Sequence, residues 1–522
     1  MTAQNMKIAF INPIKISKDN KLSCPPLSLL ILASYIRKKL PQLQIKVFDA
    51  LIEQKLEEDL IKFFPDVVAI TSTTSSILDA YELCLWCKRN MNCKIILGGC
   101  HVSVLPHEAM KYADYVVIGD GESALYEIIN NLLLNKPSKE GIIDITYKID
   151  GDEYTIPAYD LIDMEKYILS KDNIVRSVGY AKPDSRGTTM ITSRGCPYKC
   201  IFCHNSWRKC LLSYISSKDV VKEIEYLIKN YNINAFYFFD DEFLCNKDRL
   251  FSIFRLLSEK NIKIVWAGSS RADTIIKYGI SNLKKIKEYG CSLICIGCES
   301  GNNRVLQLLK ANSTTVEQNK EAIRLLNIAG IKVSISMMIG TPSETYEEMK
   351  DSLDFIRNSD IVAGSVCITT PYPGTVLYKM CEDKGLLKVP LNYNKFKHNV
   401  LPEDSYIVCD TMSEEEFISF FKYFSVAIAN KTLPNRIIDG GLSFKDIFMA
   451  GIKKYPFQIL SYPFLHPTIF FDLIRKKAFL MLKDLGKKGY YKEKRRMEPH
   501  NKKESGCVFC GKEDSAIGFK DK

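Results

Sequence analysis

The stretch Gly187-Thr-Thr-Met-Ile-Thr-Ser-Arg-Gly-Cys-Pro-Tyr-Lys-Cys-Ile-Phe-Cys-His-Asn205 joins a short β-branched run to three closely spaced cysteines. Cys196, Cys200 and Cys203 have the spacing C-x3-C-x2-C, so the thiolates of one loop can bind three irons of a [4Fe–4S] cluster. A ferredoxin closes its cluster with four cysteines. Here the fourth iron is left for a small molecule that can chelate it and receive an electron. Two alternatives remain open from the residues alone, which are three buried thiols or a zinc knuckle.

The residues before the cysteines predict that this loop ends a strand. Residues 187–193 are β-branched and short, as a buried strand should be, and Gly195 and Pro197 then break the pattern. The thiolates therefore fall at the carboxyl end of a strand. In parallel α/β proteins, ligands bind at that edge of the sheet.

With the aromatic Phe202 before the last cysteine, the loop resembles the signature of the radical S-adenosylmethionine (SAM) superfamily. In that superfamily the amine and carboxylate of SAM chelate the open iron. One electron then cleaves the sulfonium to give a 5′-deoxyadenosyl radical. The resemblance implies that the three cysteines hold the cluster and that Phe202 contributes to the SAM site.

A second set of cysteines has the same spacing in a different context. Cys291, Cys295 and Cys298 lie in a run that predicts a buried strand. Because side chains alternate along a strand, we expect 291 and 295 on one face and 298 on the other. These cysteines cannot converge on one cluster, and we interpret them as packing thiols.

Composition indicates an ordinary globular protein. The chain has 522 residues, of which 46% are hydrophobic and 25% charged, and this length predicts two to four domains. Eighteen scattered cysteines do not suggest a disulfide framework, so we expect a cytoplasmic protein. We expect no signal peptide or membrane-spanning helix. The net charge of +11 is concentrated between Arg475 and Lys503.

Strands and helices alternate through the amino-terminal part, which predicts a doubly wound parallel sheet. Helices are expected at about 27–39 and 52–64. The predicted strands are Lys7–Asn12, Ile45–Phe48, Val67–Thr71, Lys94–Leu97 and Tyr115–Ile118.

Small polar residues follow three of these strands. They are Ser72-Thr73-Thr74, Gly98-Gly99-Cys-His101 and Gly119-Asp-Gly-Glu122. With Pro25-Pro26-Leu27, their order resembles the cobalamin-binding domain of cobalamin-dependent radical SAM enzymes. The resemblance implies cobalamin contacts for Ser72, Thr73, Thr74, Gly98, Gly99, His101 and Gly119. His101 could be taken for a cobalt ligand. The favoured alternative is a loop histidine that hydrogen-bonds the corrin periphery or packs locally.

One departure concerns the lower axial ligand of cobalt. Many cobalamin domains supply a histidine from Asp-x-His-x-x-Gly after the second strand, where this chain has Asp49-Ala-Leu-Ile-Glu-Gln. The resemblance is therefore to the subgroup that leaves cobalt without a protein histidine, which should ease methyl transfer to a carbon radical. Loss of cobalamin binding is the alternative.

A second series of strand–helix units follows the cysteine loop. Its predicted strands are Ala235–Phe239, Lys263–Ala267, Leu293–Gly297, Lys332–Met338 and Ile361–Thr369. With the strand before the cysteines they make six, which matches the partial (β/α)6 barrel that the resemblance implies. Chemistry in β/α barrels belongs at the strand ends.

Those strand ends carry the remaining candidate SAM residues. The resemblance implies SAM contacts for Glu242, Arg271, Glu299, Ser300 and Gly340. Glu242 is placed at the methionyl amine, and the fork of donors on Arg271 suits a carboxylate. Glu344, in contrast, is interpreted as a helix-cap or solvated loop charge. No residue is assigned as a catalytic acid or base.

We divide the chain into a cobalamin-binding domain (1–140), a linker (141–184), a radical SAM core (185–400), a helical cap (401–486) and a basic tail (487–522). Ser413 and Glu416 predict a capping box at the start of the cap. The region 455–500 is basic and amphipathic, which suits either membrane-surface contact or a cap helix with a basic tail. Cys507 and Cys510 form half a zinc ribbon and are assigned no role.

The leading hypothesis is methylation of an unactivated carbon through a 5′-deoxyadenosyl radical and methylcobalamin. The first alternative is a radical cyclase or rearrangement enzyme without net methyl transfer. The second is a zinc-structured nucleic-acid-binding protein, which the basic tail suggests, but no nucleic-acid-binding module is visible. Expected partners are a small-molecule or lipid-like substrate and an electron donor such as ferredoxin or flavodoxin, with no nucleic acid.

Overall fold

The structure is a computed structural model that describes residues 6–14, 24–53, 55–136, 140–144, 154–169, 185–206, 212–388, 390–396 and 405–440. The predicted amphipathic region 455–500, the tail 487–522 and the pair Cys507 and Cys510 lie outside the described residues. Among the helices that are described, none combines the length and the hydropathy needed to cross a lipid bilayer.

The amino-terminal residues form a six-stranded parallel sheet in the order β2-β1-β3-β4-β5-β6. Its strands are β1 (Lys7–Asn12), β2 (Gln44–Asp49), β3 (Val67–Thr71), β4 (Lys94–Gly98), β5 (Tyr115–Ile118) and β6 (Gly141–Asp144). The doubly wound sheet is confirmed. The sequence did not predict β6, because this edge strand is short and only half-buried, so its apolar signal is weak.

Helices cover both faces of this sheet, which explains why its inner strands β1, β3, β4 and β5 are mostly apolar. They are α1 (Leu27–Lys39), α2 (Leu56–Phe63), α3 (Ile77–Asn90), α4 (Cys100–Val104), α5 (Pro106–Ala109) and α6 (Glu122–Leu133). Leu30 of α1 and Ile128 of α6 belong to one buried cluster. Leu60 of α2 and Ile77 of α3 belong to another, on the opposite face.

The second six-stranded parallel sheet forms the partial barrel that was predicted, in the order β14-β13-β12-β11-β10-β7. Its strands are β7 (Gly187–Met190), β10 (Ala235–Phe238), β11 (Val265–Ser270), β12 (Cys291–Glu299), β13 (Lys332–Ile339) and β14 (Ala363–Ile368). Two short strands, β8 (Ser193–Arg194) and β9 (Ser213–Tyr214), pair antiparallel beside the cysteine loop.

All but one of the helices that follow these strands begin at a side-chain cap, and the exception is the helix that begins at Ala272. They are α7 (Ser217–Tyr231), α8 (Lys247–Glu259), α9 (Ala272–Glu288), α10 (Asn303–Leu309), α11 (Val316–Ile328), α12 (Tyr346–Asn358) and α13 (Val376–Asp383). Ser216 accepts from the Asp219 amide, and Thr345 shares a capping box with Glu348. Such caps satisfy amides that lack an intrahelical partner and so fix where each helix begins.

A β-bulge changes which face Cys291 occupies. In the pairing of β11 with β12, Trp266 is opposite Cys291 but the next residue, Ala267, is opposite Leu293. The extra residue reverses the side-chain alternation. Cys291 and Cys298 therefore share the outer, helix-covered face, whereas Cys295 lies beside Ser336 on the other face. The predicted grouping of 291 with 295 is wrong.

The carboxyl-terminal described helix, α14 (Glu414–Gly440), packs against the β14 edge of the barrel sheet. The Ser413 amide donates to Glu416 at 2.9 Å, and the Glu416 amide donates to the Ser413 hydroxyl at 3.3 Å, which confirms the predicted capping box. Ile428 lies near Gly364 of β14. The helix thus closes the open edge of the partial barrel.

Candidate active site

The cysteine loop leaves the carboxyl end of the barrel sheet just after β7 and β8. Cys200 is buried, and Cys196 and Cys203 are half-buried. The Cys203 amide donates to the Cys200 carbonyl at 3.1 Å, which tightens the turn between two of the thiols. Burial raises the pKa of Cys196 to about 12 and that of Cys203 to about 11. These thiols therefore need a bound cation to ionise at neutral pH.

The zinc alternative concerns the same three cysteines. Within the described ranges, no three His, Cys, Asp or Glu side chains are grouped as a single-ion site requires. A zinc knuckle needs its ligands around one ion. A [4Fe–4S] cluster binds each thiolate through a different iron, so its ligands stand further apart. The preference for a cluster rests on the cysteine spacing and not on this geometry.

Arg271 follows β11 and lies against the cysteine loop. One guanidinium nitrogen, Nη1, lies 3.6 Å from the Cys200 sulfur, and the guanidinium carbon lies 3.7 Å from the centre of the Tyr198 ring. Nε donates to Asp273 at 3.0 Å, and Nη2 donates to Thr314 at 2.6 Å. The sequence placed Arg271 at a SAM carboxylate. In the structure each of its nitrogens already has a protein partner.

Glu299 forms a buried ion pair beneath the same loop. Its carboxylate accepts from Lys310 Nζ at 2.9 Å, and Lys310 is only 5% exposed. Lys310 also lies 5.9 Å from the ring centre of Phe202. Sequence reasoning missed Lys310, whose only signal was its place directly after the first helix that follows Glu299.

Glu242 follows β10 and is 2% exposed. Its Oε1 accepts from the Ser270 hydroxyl at 2.6 Å, but its Oε2 is buried without a hydrogen-bond partner among the described residues. Burial raises the pKa of Glu242 to about 7. An unpaired buried carboxylate oxygen is costly, and a cationic ligand group such as the amine of SAM would relieve that cost.

The Ser300 hydroxyl is hydrogen-bonded within the protein, and the space beside the Gly340 Cα is filled by another side chain. The Ser300 hydroxyl lies 3.2 Å from that of Ser352 and accepts from the Asn302 amide. Gly340 has a φ of 82°, and a Cβ there would lie 2.6 Å from the ring of Phe417 on α14. Only their backbone atoms are therefore candidates for ligand contact, and their SAM role stays a prediction.

The interpretation of Glu344 as a cap or solvated charge is wrong. Its side chain is fully buried, and Oε2 accepts from the Gly340 amide at 2.8 Å and the Thr341 amide at 2.9 Å. Burial raises the pKa of Glu344 to about 7. The carboxyl group holds the turn after β13, and sequence position could not distinguish this from a loop charge.

The predicted cobalamin residues share the carboxyl edge of the first sheet. Ser72 follows β3, and its amide donates to the Gly98 carbonyl at 3.0 Å, so these two strand ends are joined. A Cβ at Gly99 would lie 2.3 Å from the Ser72 carbonyl oxygen, which requires glycine there. Thr73 and Ser75 are exposed, and Gly119 is half-buried. A small, polar and accessible rim of this kind fits a bound cofactor.

His101 differs from its prediction because it lies on a helix, α4, and not on a loop. Its ring is fully enclosed. Nδ1 lies 3.1 Å from the Thr74 hydroxyl, Nε2 lies 3.7 Å from Glu108, and the ring meets Tyr393 edge-on. This environment is that of a locally packed histidine.

Arg194 joins the two predicted cofactor edges. It directly precedes the cysteine loop, and its guanidinium lies 2.5 Å from Glu122 and 3.5 Å from Asp120. Both carboxylates follow β5 in the first sheet, and the Glu122 residue is 2% exposed. Sequence reasoning missed this link, although an acidic pair in one loop and an arginine beside the cysteines were its visible signals.

Comparison with known families matches both halves of the chain. Residues 190–356 match the radical SAM superfamily, and residues 19–129 match the B12 binding domain. An uncharacterised methyltransferase of Pyrococcus horikoshii is 32% identical over 422 residues, covering 75% of this chain and 86% of that protein. This chain belongs to the cobalamin-dependent radical SAM enzymes. The cofactors of these enzymes are a [4Fe–4S] cluster, SAM and cobalamin.

Two further relatives are less similar in sequence. An anaerobic magnesium-protoporphyrin IX monomethyl ester cyclase of Rubrivivax gelatinosus is 25% identical, covering 73% of this chain and 70% of that protein. A bacteriochlorophyllide d C-8(2)-methyltransferase of Chlorobaculum tepidum is 22% identical, covering 80% of this chain and 90% of that protein.

Two solved structures share the fold. The cobalamin-dependent radical enzyme OxsB has a TM-score of 0.57 at 20% identity; the match covers 73% of this chain and 56% of the OxsB chain. The methyltransferase TsrM from Kitasatospora setae has a TM-score of 0.57 at 17% identity, covering 73% of this chain and 75% of that one.

Proposed function

We propose that this radical SAM enzyme methylates an unactivated carbon of a small-molecule or lipid-like substrate. When bound, SAM at the cluster supplies a 5′-deoxyadenosyl radical for hydrogen abstraction, and cobalamin carries the methyl group. Cys196, Cys200 and Cys203 would hold the cluster. Glu242 would receive the amine of SAM.

The observation that carries this proposal is the contact of Arg194 with Asp120 and Glu122. It brings the cysteine loop of the barrel against the loop after β5 of the first sheet. Two cofactors bound at these edges would approach one substrate carbon from different sides. Hydrogen abstraction and methyl delivery at a single carbon need that arrangement.

The packing of His101 also supports methyl transfer. Its ring is enclosed between Thr74, Glu108 and Tyr393, which supports a histidine that packs locally and a cobalt without a protein ligand. Asp49, where many relatives carry the start of a histidine motif, accepts from Asn12 at 2.9 Å and from Tyr167 at 2.9 Å. A cobalt without a protein histidine favours methyl transfer to a carbon radical.

The proposal keeps the boundaries at residues 184, 400 and 486 but moves the first one from 140 to beyond β6, because Gly141–Asp144 pairs with β5. An electron donor such as ferredoxin or flavodoxin would reduce the cluster. Tyr159 of the linker donates to buried Glu223 of α7 at 2.7 Å. This contact supports a linker that is packed onto the barrel.

A radical cyclase or rearrangement enzyme is the second candidate, favoured by the similarity to the Rubrivivax gelatinosus cyclase. One assay separates the two. The protein is reconstituted anaerobically with iron, sulfide and hydroxocobalamin, reduced, and incubated with SAM and candidate substrates. Deoxyadenosine together with S-adenosylhomocysteine supports methylation, whereas deoxyadenosine alone with cobalamin bound supports rearrangement. A variant with all three cysteines changed to alanine is the control and should yield no deoxyadenosine.

A further inference from the structure

Arg271 directs a hydrogen-bond donor at the sulfur of a predicted cluster ligand. Its Nη1 lies 3.6 Å from Cys200 Sγ, within hydrogen-bonding range for sulfur, and Arg271 is only 7% exposed. Cys200 is the most enclosed of the three loop cysteines, at 9% exposed. Because the surroundings exclude water, a charged donor this close to a thiolate makes a stronger hydrogen bond than it would in solution.

The surroundings of Arg271 fix this orientation. Asp273 accepts from Nε at 3.0 Å, and Ser313 and Thr314 accept from Nη2 at 2.8 and 2.6 Å. The guanidinium also lies over the ring of Tyr198, whose hydroxyl donates to Asp273 at 2.9 Å. The guanidinium is therefore held on three sides, and its remaining nitrogen faces Cys200.

This arrangement is better suited to a cluster sulfur than to the carboxylate of SAM. A carboxylate clamp needs two parallel N–H groups free on one edge of the guanidinium. Here Nε, Nη1 and Nη2 each have a protein partner. Binding a carboxylate in the forked manner would break at least one of these contacts.

We propose that Arg271 is a positioning residue that sets the reduction potential of the cluster through Cys200. Hydrogen bonds to cluster sulfurs and nearby positive charge help to set the potential of a [4Fe–4S] centre. Both stabilise the more negative, one-electron-reduced form. Arg271 thereby makes the transfer of one electron from a low-potential donor to the cluster more favourable. The proposal rests on the cluster assignment made above.

The test is a potentiometric titration of the reconstituted cluster, followed by EPR, in the wild type and Arg271→Gln. We expect the ratio of reduced to oxidised cluster at a fixed potential to fall about tenfold, which is about 59 mV for a one-electron couple. The affinity for SAM, measured in parallel by calorimetry, should stay within about twofold. Arg186→Gln is the matched control, since Arg186 pairs with Glu165 instead of a cysteine and should leave the potential unchanged.

If Arg271→Gln fails to retain iron, a second variant tests the proposal. Thr314→Val keeps the guanidinium but removes a support at 2.6 Å, and it should shift the potential in the same direction by less. An unchanged potential in the iron-loaded variants overturns the proposal. So does a loss of SAM affinity of tenfold or more without a change in potential, because that result identifies a carboxylate clamp. A wild type without iron overturns the cluster assignment instead.

Discussion

At the scale of single residues, buried carboxylates distinguish this protein. Glu223, Glu242 and Glu344 are nearly inaccessible, and burial raises the pKa of each to about 7. Their partners differ. Glu223 accepts hydrogen bonds from two tyrosine hydroxyls, and Glu344 accepts them from two backbone amides. Glu242 retains one oxygen without a described partner. Glu344 also retains one such oxygen, Oε1, so an unpaired oxygen by itself does not identify a ligand site. Glu242 is distinguished by its place at the predicted SAM site.

Glu242→Gln should weaken SAM binding by about ten- to a hundredfold, because a hydrogen bond to a charged group contributes about 1.5–3 kcal/mol. Calorimetry on the reconstituted, iron-loaded protein measures this. Glu223→Gln is the matched control, since it changes an equally buried glutamate outside the predicted SAM site. Equal SAM affinities in all three proteins would contradict the role assigned to Glu242.

Glu223 should make the stability of the fold depend on pH. Burial raises its pKa in the folded protein to about 7, against about 4.3 in an unfolded chain. Its stabilising contribution is therefore complete below the unfolded value and is lost as the pH rises through the folded value. Relative to Glu223→Gln, the wild type should lose unfolding free energy between pH 5 and 7, by at most about 1.4 kcal/mol per pH unit.

Denaturant titrations of both proteins at several pH values measure this difference. It should become constant above about pH 8, where the carboxyl is ionised in both states. A difference that does not change between pH 5 and 8 would show that Glu223 keeps an ordinary pKa.

At the scale of elements, the strands were predictable and the exceptions have local causes. Parallel strands buried on both faces are nearly continuous apolar runs, and β1, β3 and β5 have the predicted bounds. The bulge in β12 was not predictable, because it arises from pairing with β11 and leaves no turn residue in the sequence. Likewise, the setting of Glu344 includes a residue 67 positions further along the chain, because the Thr411 hydroxyl donates to the Glu344 carbonyl.

The end of β12 offers an element-scale prediction. Glu299 has a φ of 59°, and its carboxylate folds back over Gly297, where a Cβ would lie 2.4 Å from Oε1 and 3.2 Å from Lys310 Nζ. Gly297→Ala should displace the carboxylate and leave Lys310 without its buried partner. We expect a loss of about 1–3 kcal/mol in unfolding free energy.

Chemical denaturation measures this loss, with Gly98→Ala as the control. Gly98 also ends a parallel strand, but a Cβ there makes only an ordinary contact with Val117 at 3.8 Å. If both substitutions cost the same, the loss reflects glycine at a strand end and not the ion pair.

At the scale of the whole molecule, contacts between the two sheets hold the predicted cofactor edges together. Arg194 pairs with Asp120 and Glu122, and Tyr393 donates to Glu108 at 2.8 Å. The order of motifs along the chain predicted both sheets and the edge at which each cofactor would bind. It could not predict these pairs, because they join residues distant in sequence that no local pattern relates.

Arg194→Ala should uncouple methyl transfer from formation of the 5′-deoxyadenosyl radical. We expect iron and cobalamin contents within about twofold of the wild type, since neither predicted binding edge is removed. The ratio of S-adenosylhomocysteine to deoxyadenosine should fall by about tenfold, because small losses of alignment between reactants cost large factors in rate. Liquid chromatography with mass spectrometry measures both products.

Arg324→Ala is the matched control for this uncoupling. It removes an exposed arginine that pairs only locally with Glu321 on α11, so the product ratio should not change. An unchanged ratio in Arg194→Ala would contradict the view that this arginine aligns the two edges.

The most direct test of the central claim is the EPR spectrum of the reduced, anaerobically reconstituted protein with and without SAM. A cluster bound by Cys196, Cys200 and Cys203 has one iron open to SAM, so adding SAM should change the g-values of the [4Fe–4S]+ signal. Changing any of these cysteines to alanine should abolish that response. A wild-type protein that holds no iron, or whose signal is the same with and without SAM, would contradict the account.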